Sequence, residues 1–475
     1  MNKVNISGDE LMELGYPQGK AIGTAIRVIE KNFSEAEKEE VLAIMLKVFQ
    51  YPENFLDDAV LSPIAKDLDE QNKANENTEI PLKENPDDFA VYGKQHIEPG
   101  AMSQMQTAMK LPVTVAGALM PDAHQGYGLP IGGVLAADNA VIPYGVGVDI
   151  GCRMALSIYD IPASHFVENE AKYKRELIAW TKFGAGNAWE GKHKAVHSIL
   201  DRAEFNATPF IKSLHDKAAA QLGTSGGGNH FVEWGIIEFE KDDAELNIPK
   251  GNYVALLTHS GSRGFGATIA GHYTKLAKEL CKLPDEAKNL AYLSLDSAEG
   301  QEYWLAMNLA GDYASACHQV IHERLTAAIG GHLLARVENH HNFAWKEKFN
   351  GKDVIVHRKG ATPASKGAMG IIPGSMTAPG FLVRGKGEEH SINSASHGAG
   401  RQMSRTQAIK TITKGAMQKA LKEHGVTLIG AGLDEAPFAY KDINTVMAAQ
   451  SSLVDVVAKF SPKIVRMADD GSKED

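Results

Sequence analysis

Five short segments spread along a 475-residue chain each set a potential metal or phosphate ligand among glycines, so any fold for this chain has to bring distant loops to one place. They are residues 120–133, with Asp122 and His124; 145–153, with Asp149 and Cys152; 223–233, where three consecutive glycines precede Asn229 and His230; 258–266, with His259 and Arg263; and 338–342, with His340 and His341. Glycine permits tight turns and lets a ligand approach backbone N–H groups closely. An Asp and a Cys three residues apart on such a turn can face one ion. Adjacent histidines on regular structure do not share an ion, so one of His340 and His341 is the ligand. A sixth stretch, residues 396–405, places His397 among small residues with Arg401 and Arg405 four and eight positions on, a setting that suits phosphate chemistry. Mixed Asp, Cys and His donors fit a transition ion such as manganese or zinc better than magnesium, which takes oxygen ligands.

Charge distribution agrees with a polyanionic or nucleotide partner. The whole chain carries a formal net charge of −10, but residues 1–90 alone account for −10 and residues 351–420, which contain His397, carry +8. A cationic stretch on an acidic protein is a plausible footprint for phosphate. No apolar run has the length of a bilayer span, and the first residues hold acids and amides where a signal peptide would be basic and then apolar. Three cysteines are too few and too scattered for a disulfide framework, so reduced thiols and a cytoplasmic location without membrane contact are expected.

Along the chain, residues 1–75 read as a small helical unit: residues 8–19 as a helix-turn-helix, and 36–49 as a helix with Val41, Leu42, Met45, Leu46 and Phe49 at helical spacing behind a capping box at 34–37. From residue 68 the composition turns polar and acidic, which places a linker at 76–88 and a larger domain at 89–475. In that domain strand-like runs (113–119, 253–258, 352–356) mix with helical stretches (201–214, 273–281, 302–330, 405–423), an α+β pattern of mixed or antiparallel sheets with surrounding helices. Residues 445–460 read as a helix, 463–467 as a short strand, and 469–475 as a disordered tail.

The segments Pro121-Asp122-Ala123-His124-Gln125-Gly126-Tyr127-Gly128, Gly147-Val148-Asp149-Ile150-Gly151-Cys152, Gly227-Gly228-Asn229-His230-Phe231, His259-Ser260-Gly261-Ser262-Arg263-Gly264, His357-Arg358-Lys359-Gly360-Ala361-Thr362 and Ser396-His397-Gly398-Ala399-Gly400-Arg401 together resemble the RtcB family of RNA-splicing ligases. They occur in the family's order, and the resemblance runs from about residue 89 to 467. It implies an RtcB-like fold and a ligase that joins an RNA 3′-phosphate, or a 2′,3′-cyclic phosphate opened first, to a 5′-hydroxyl end in RNA repair or tRNA splicing. The implied cofactors are GTP and two Mn2+ ions. By motif match Asp149, Cys152, His230, His259 and His341 are the metal ligands, Cys152 being shared between ions; His341 is preferred to His340 because the family's ligand precedes an Asn, here Asn342. His397 is the implied nucleophile that takes GMP from GTP. Asn229, Glu233, Ser375, Ala399, Arg401 and Tyr440 are implied nucleotide contacts, with Arg263 and Arg405 as contacts for phosphate or RNA backbone.

Some positions depart from the family's pattern. Residues 374–381 read Gly-Ser-Met-Thr-Ala-Pro-Gly-Phe, so the serine expected to bond the base is replaced by Gly380; Arg466 or Lys463 stands in for a C-terminal lysine; Pro363 replaces an arginine, and Arg153 a glycine. Two other readings therefore stand beside RNA ligation: a nucleotidyl transferase that caps a nucleic-acid 3′-phosphate without sealing, and an RNA-binding homologue that has lost catalysis. The full set of ligands and His397 argues against the last.

Overall fold

The computed structural model describes residues 4, 6–17, 19–76 and 79–469, so of the tail expected at 469–475 residues 470–475 lie outside the described residues. The chain divides into two compact units, Met1–Ile80 and Pro81–Asp475.

The first unit is built from the helices Gly8–Glu13, Lys20–Asn32, Lys38–Gln50 and Ser62–Glu76. Its core is their apolar stripes: Leu11, Ala25, Val28, Val41, Met45, Val48, Ile64 and Leu68 are buried together, as helical periodicity requires. The capping box sits elsewhere than at 34–37. Ser7 and Glu10 form it reciprocally, whereas Lys38–Gln50 starts from Glu37 with no side-chain cap. The polar run from residue 68 is helical to Glu76, within the helix Ser62–Glu76.

In the second unit an eight-stranded sheet runs in the order Met369–Ile372, Gly380–Gly385, Val454–Met467, Phe231–Phe239, Gly251–Ser260, Arg153–Pro162 and Leu333–His340, with Thr427–Ile429 added in parallel to Val454–Met467. The other pairings in it are antiparallel. A five-stranded sheet holds Ala90–Val91, Thr114–His124, Ile131–Ala137, Lys352–Lys359 and Asn342–Phe349. The helix Ala298–Ile329 packs on the large sheet, begins at a Ser297 cap and ends at Gly330 in the left-handed conformation (φ 73°).

Three expected helices differ in the structure. Residues 201–214 break into short turns and the helix Pro209–Ser213, because Pro209 fits only a first helical position, where Thr208 caps it. The stretch 405–423 is two helices, Arg405–Thr411 and Lys414–His424, the second starting at its own Thr413 cap. Residues 445–460 hold only the end of the helix Ile443–Ala449; the chain then becomes the strand Val454–Met467, whose first half pairs with Gly380–Gly385 and whose second half pairs with Phe231–Phe239. Tertiary pairing overrides a local helical pattern there.

Candidate active site

Register gathers the site. Phe231 pairs with His259, Met154 with His259, and Arg153 with His340. Two strands therefore start, and two end, at the same end of the large sheet, and the residues at these strand tips are Cys152, His230, His259 and His341. Cys152 Sγ lies 3.1 Å from His259 Nε2 and 3.5 Å from His230 Nε2. His230 Nε2 is 3.0 Å from Asp149 Oδ2, and His259 Nε2 is 3.2 Å from His341 Nε2. The five groups form one chain of donor atoms with the Cys152 sulfur at its centre, Asp149 and His230 to one side, His259 and His341 to the other.

These residues fit a metal ion. Donors bound at 2.0–2.3 Å in a tetrahedral arrangement stand roughly 3.3–3.6 Å apart, close to the separations found around the sulfur. The Cys152, His230 and His259 donor atoms all lie within 4.8 Å of one another and are buried. His230 Nδ1 faces the Ser225 carbonyl at 2.7 Å and His259 Nδ1 the Asn229 carbonyl at 3.2 Å. Carbonyls accept only, so each Nδ1 carries the proton and each Nε2 presents a lone pair to the cluster. His341 Nδ1 is buried with no hydrogen-bond partner among the described residues. Burial holds the His259 and His341 imidazoles well below their ordinary pKa, which keeps them neutral and able to ligate. Burial alone would raise Asp149, but the hydrogen bonds and charges around it together outweigh this and keep the carboxyl low. Gly261 is required here, since a Cβ on it would overlap the Asp149 carboxylate. His340 turns the other way and packs against Phe343 and Trp345.

His397 stands beside this cluster, its ring 4.9 Å from that of His341. Its Nδ1 is 2.7 Å from Asp122 Oδ2, and the same oxygen accepts the backbone N–H of His397 at 3.1 Å and of Gly398 at 3.4 Å. A carboxylate can only accept, so Nδ1 is protonated and Nε2 is left with the lone pair. Burial works to raise Asp122, yet the hydrogen bond from His397 and the nearby charge of Lys441 help hold its carboxyl below the usual range. The aspartate was visible in the first glycine-framed segment, but no local signal assigned it a role.

A cavity of roughly 400 Å³ joins these groups. Asp149, Cys152, His259, His341 and His397 line one part, and Asn229, Glu233, Ser375, Ala399, Arg401 and Tyr440 line it as well. His230 lies behind the ligand cluster, fully buried. Arg401 lies over the Tyr440 ring at 5.2 Å and donates to the Asp434 carbonyl at 2.7 Å. Arg405, also in the lining, pairs with Asp434 at 2.8 Å and with Glu435. Glu435, absent from the sequence reading, thus links Arg401, Arg405 and Tyr440. Burial raises the carboxyls of Glu233 and Glu435, the latter opposed by the two arginines.

Other expected positions fall differently. Arg263 is fully buried at the start of the helix Arg263–Leu280, its Nε donating to Thr224 Oγ1 at 3.0 Å. It therefore props the glycine loop from behind, and a Cβ at Gly226 would overlap its guanidinium. Arg466 does not reach the cavity either: its Nη1 donates to the carbonyls of Leu177, Ile178 and Thr181, while Val465 and Met467 line the cavity. Strand alternation puts Arg466 on the opposite face from its neighbours, and Lys463 is not in the lining. Arg153 ties the turn after Asp149 to the long helix, pairing with Glu338 and donating to the Gly151 carbonyl at 3.1 Å and the Gly311 carbonyl at 2.6 Å. Pro363 pairs with Ser394 in a two-stranded ribbon. Gly374, Ser375, Met376, Ala378 and Gly380 of the altered loop border the cavity. Lys359 lines it too, and burial pushes its ammonium down to about 7.

Fold and site together define an α+β protein with a buried Cys–His–His group able to hold a metal ion at one sheet end, next to a histidine held by a carboxylate. The family model described as RtcB, tRNA-splicing ligase RtcB, matches residues 104–468, and the chain belongs to that family. The RNA-splicing ligase RtcB of Escherichia coli (strain K12) is 34% identical over 397 residues, which cover 76% of this chain and 92% of the relative. The tRNA-splicing ligase RtcB of Methanococcus maripaludis is 30% identical over 414 residues, covering 72% and 86%. An RNA-splicing ligase RtcB homolog 1 from Entamoeba dispar is 28% identical over 529 aligned positions, covering 92% and 96%. Among the described residues no helix is long and apolar enough to cross a membrane.

Proposed function

We propose that this protein is a GTP- and manganese-dependent RNA ligase that joins a 3′-phosphate end, or a 2′,3′-cyclic phosphate after its opening, to a 5′-hydroxyl end. Family membership supports the RNA ligase class. The observation that carries the chemistry is the placement of His397: Nδ1 held by Asp122 at 2.7 Å, the ring 4.9 Å from a candidate metal ligand, and the cavity open in front of it.

His397 Nε2 is a neutral imidazole nitrogen, a good nucleophile toward phosphorus near neutral pH. In this reading it bonds to the α-phosphorus of GTP as the bond to pyrophosphate breaks. Asp122 keeps the imidazole oriented and stabilises the charge that develops on it, as a carboxylate behind a catalytic histidine does. Asn229, whose buried Oδ1 has no hydrogen-bond partner among the described residues, and Arg401 hold the nucleotide. Glu233, Ser375 and Tyr440 surround the base. The guanylate then passes to the RNA 3′-phosphate, and the 5′-hydroxyl oxygen attacks that phosphorus, releasing GMP and leaving a phosphodiester. Asp149, Cys152, His230, His259 and His341 would hold two manganese ions, which when bound neutralise phosphoryl oxygens.

Incubation with α-labelled GTP should label the protein, and the label should vanish in His397→Ala. Label retained by that variant would remove His397 as the carrier. Joining of a 3′-phosphate strand to a 5′-hydroxyl strand, in place of capping alone, tests the sealing step.

A further inference from the structure

The rim of the cavity carries aromatic side chains that the chemistry above leaves unused. Tyr127 is 70% exposed, on a turn completed by Gly128 at φ 71°. Its ring centre is 6.4 Å from that of Tyr144, with the planes 38° apart. One buried ammonium fastens both: Lys359 Nζ donates to the Tyr127 carbonyl at 2.6 Å and the Tyr144 carbonyl at 3.2 Å, and lies 4.9 Å from the centre of the Tyr144 ring. The side chains are therefore presented from a fixed backbone.

Tyr144 and Val148 also line a second, shallower cavity of roughly 380 Å³, closed on its far side by Ala270, Thr274, Lys275 and Lys278 of the helix Arg263–Leu280. The two hollows thus share Tyr144 and Val148 in their walls, and the second, whose lining does not include His397, lies along a helix that offers cations. Lys278 Nζ lies 5.5 Å from the Tyr144 ring centre, and Lys275 is 81% exposed, facing Glu279 only at 3.8 Å. Val148, 43% exposed, adds apolar surface between them. The exposed ring of Tyr127 beside the half-buried ring of Tyr144, with exposed Lys275 and with Lys278 held by Asn289 Oδ1 at 2.7 Å, next to a phosphate-handling cavity, matches what single-stranded nucleic acid needs: a ring on which a base stacks and ammonium groups near its backbone.

We infer that the Tyr127–Tyr144 ledge, with Lys275 and Lys278, is the track on which the single-stranded RNA next to the reacting end lies, its bases stacking on the tyrosine rings. This rests on the RNA ligase reading and adds to it where the strand runs and what kind it is. Stacking tolerates any base, so the track selects unpaired nucleotides over a duplex without selecting a sequence. A duplex end, its bases already stacked and paired, gains nothing from Tyr127.

Fluorescence anisotropy with a labelled short single-stranded RNA ending in a 3′-phosphate tests this on the full-length protein. Tyr127→Ala should weaken binding about 5- to 150-fold, the range expected for one lost base stack. Tyr127→Trp should bind as well as wild type or better, because the ring is what counts. Lys275→Glu should weaken binding and flatten its dependence on salt. Tyr127 is exposed, so loss of folding is not expected from its truncation. Steady-state joining separates the two proposals: wild type that seals RNA ends with a KM unchanged in Tyr127→Ala overturns the track alone. Wild-type protein that neither binds nor joins RNA overturns both the ligase reading and the track.

Discussion

Asp122 Oδ2 lies 2.7 Å from His397 Nδ1 across 275 positions of sequence, and the same oxygen also receives the backbone N–H groups of His397 and Gly398. One carboxylate therefore sets the tautomer, the ring orientation and the local backbone of the candidate nucleophile. Asp122→Ala should slow guanylate transfer to His397 by about 10²- to 10⁴-fold, comparable with other carboxylates that orient a catalytic histidine. Single-turnover labelling with GTP measures it; a rate within a few-fold of wild type would reduce Asp122 to a structural role.

Cys152 occupies the centre of the donor chain, so its removal should disturb ligands on both sides. Cys152→Ala is expected to lower the affinity for Mn2+ at least tenfold, on the scale of losing a primary ligand. His340→Ala, whose ring packs on Phe343 and Trp345, should leave affinity unchanged. Equilibrium metal binding by the two variants decides between them, and the reverse ranking would displace the proposed cluster.

The pH dependence of metal binding follows from burial. The His259 and His341 imidazoles have pKa values well below the ordinary 6.5, so protons do not compete for their nitrogens until the pH has fallen below that value. Protons should then compete chiefly for the Cys152 thiolate, so in Cys152→Ala the remaining affinity should stay nearly flat from about pH 8 to about pH 6.5. A steep loss across that interval, seen by calorimetry, would mean that the ligating histidines are solvated.

The same burial has the opposite consequence for stability of the metal-free protein. His124, His318 and His357 are held at about 4 by burial, while in the unfolded chain they return to about 6.5. Their contribution is fully present above the unfolded value and is lost as pH falls from there towards about 4, because the unfolded state takes up protons that the folded state refuses. The denaturation midpoint should therefore drop on acidification from pH 7 to pH 5. Constant midpoints over that range would show that these histidines are not held neutral.

Gly261→Ala tests the geometry without touching a ligand. The added Cβ would overlap the Asp149 carboxylate, which accepts the Ser262 N–H at 2.9 Å and faces His230 at 3.0 Å. Displacement of Asp149 should weaken metal binding and lower the melting temperature by several degrees, a cost of about 1–3 kcal/mol for a crowded buried site. Wild-type behaviour in both measurements would mean that the carboxylate can move freely.

Much of the site was legible because glycine-framed loops advertise close approach, and because Asp, Cys and His have few reasons to sit there together. The part that was not legible depended on direction. Arg263 looked available for phosphate but points inward to Thr224, and Arg466 looked available for a base but lies on the far face of its strand. Glu435 gave no local signal, since its meaning comes from Arg401, Arg405 and Tyr440 around it. Residues 454–460 read as helix because their pattern is locally ambiguous, and pairing with Gly380–Gly385 settles the strand.

By itself the sequence determined the residue types of the site, the loops that carry them and the helical character of the first unit, because composition, glycine placement and helical periodicity are local properties. Only the tertiary structure decided which carboxylate holds His397 and which arginines reach the cavity. Those outcomes depend on strand register and on contacts between residues as far apart as Asp122 and His397. A shift of one position in a strand reverses the face on which every side chain stands, and no local pattern records that choice.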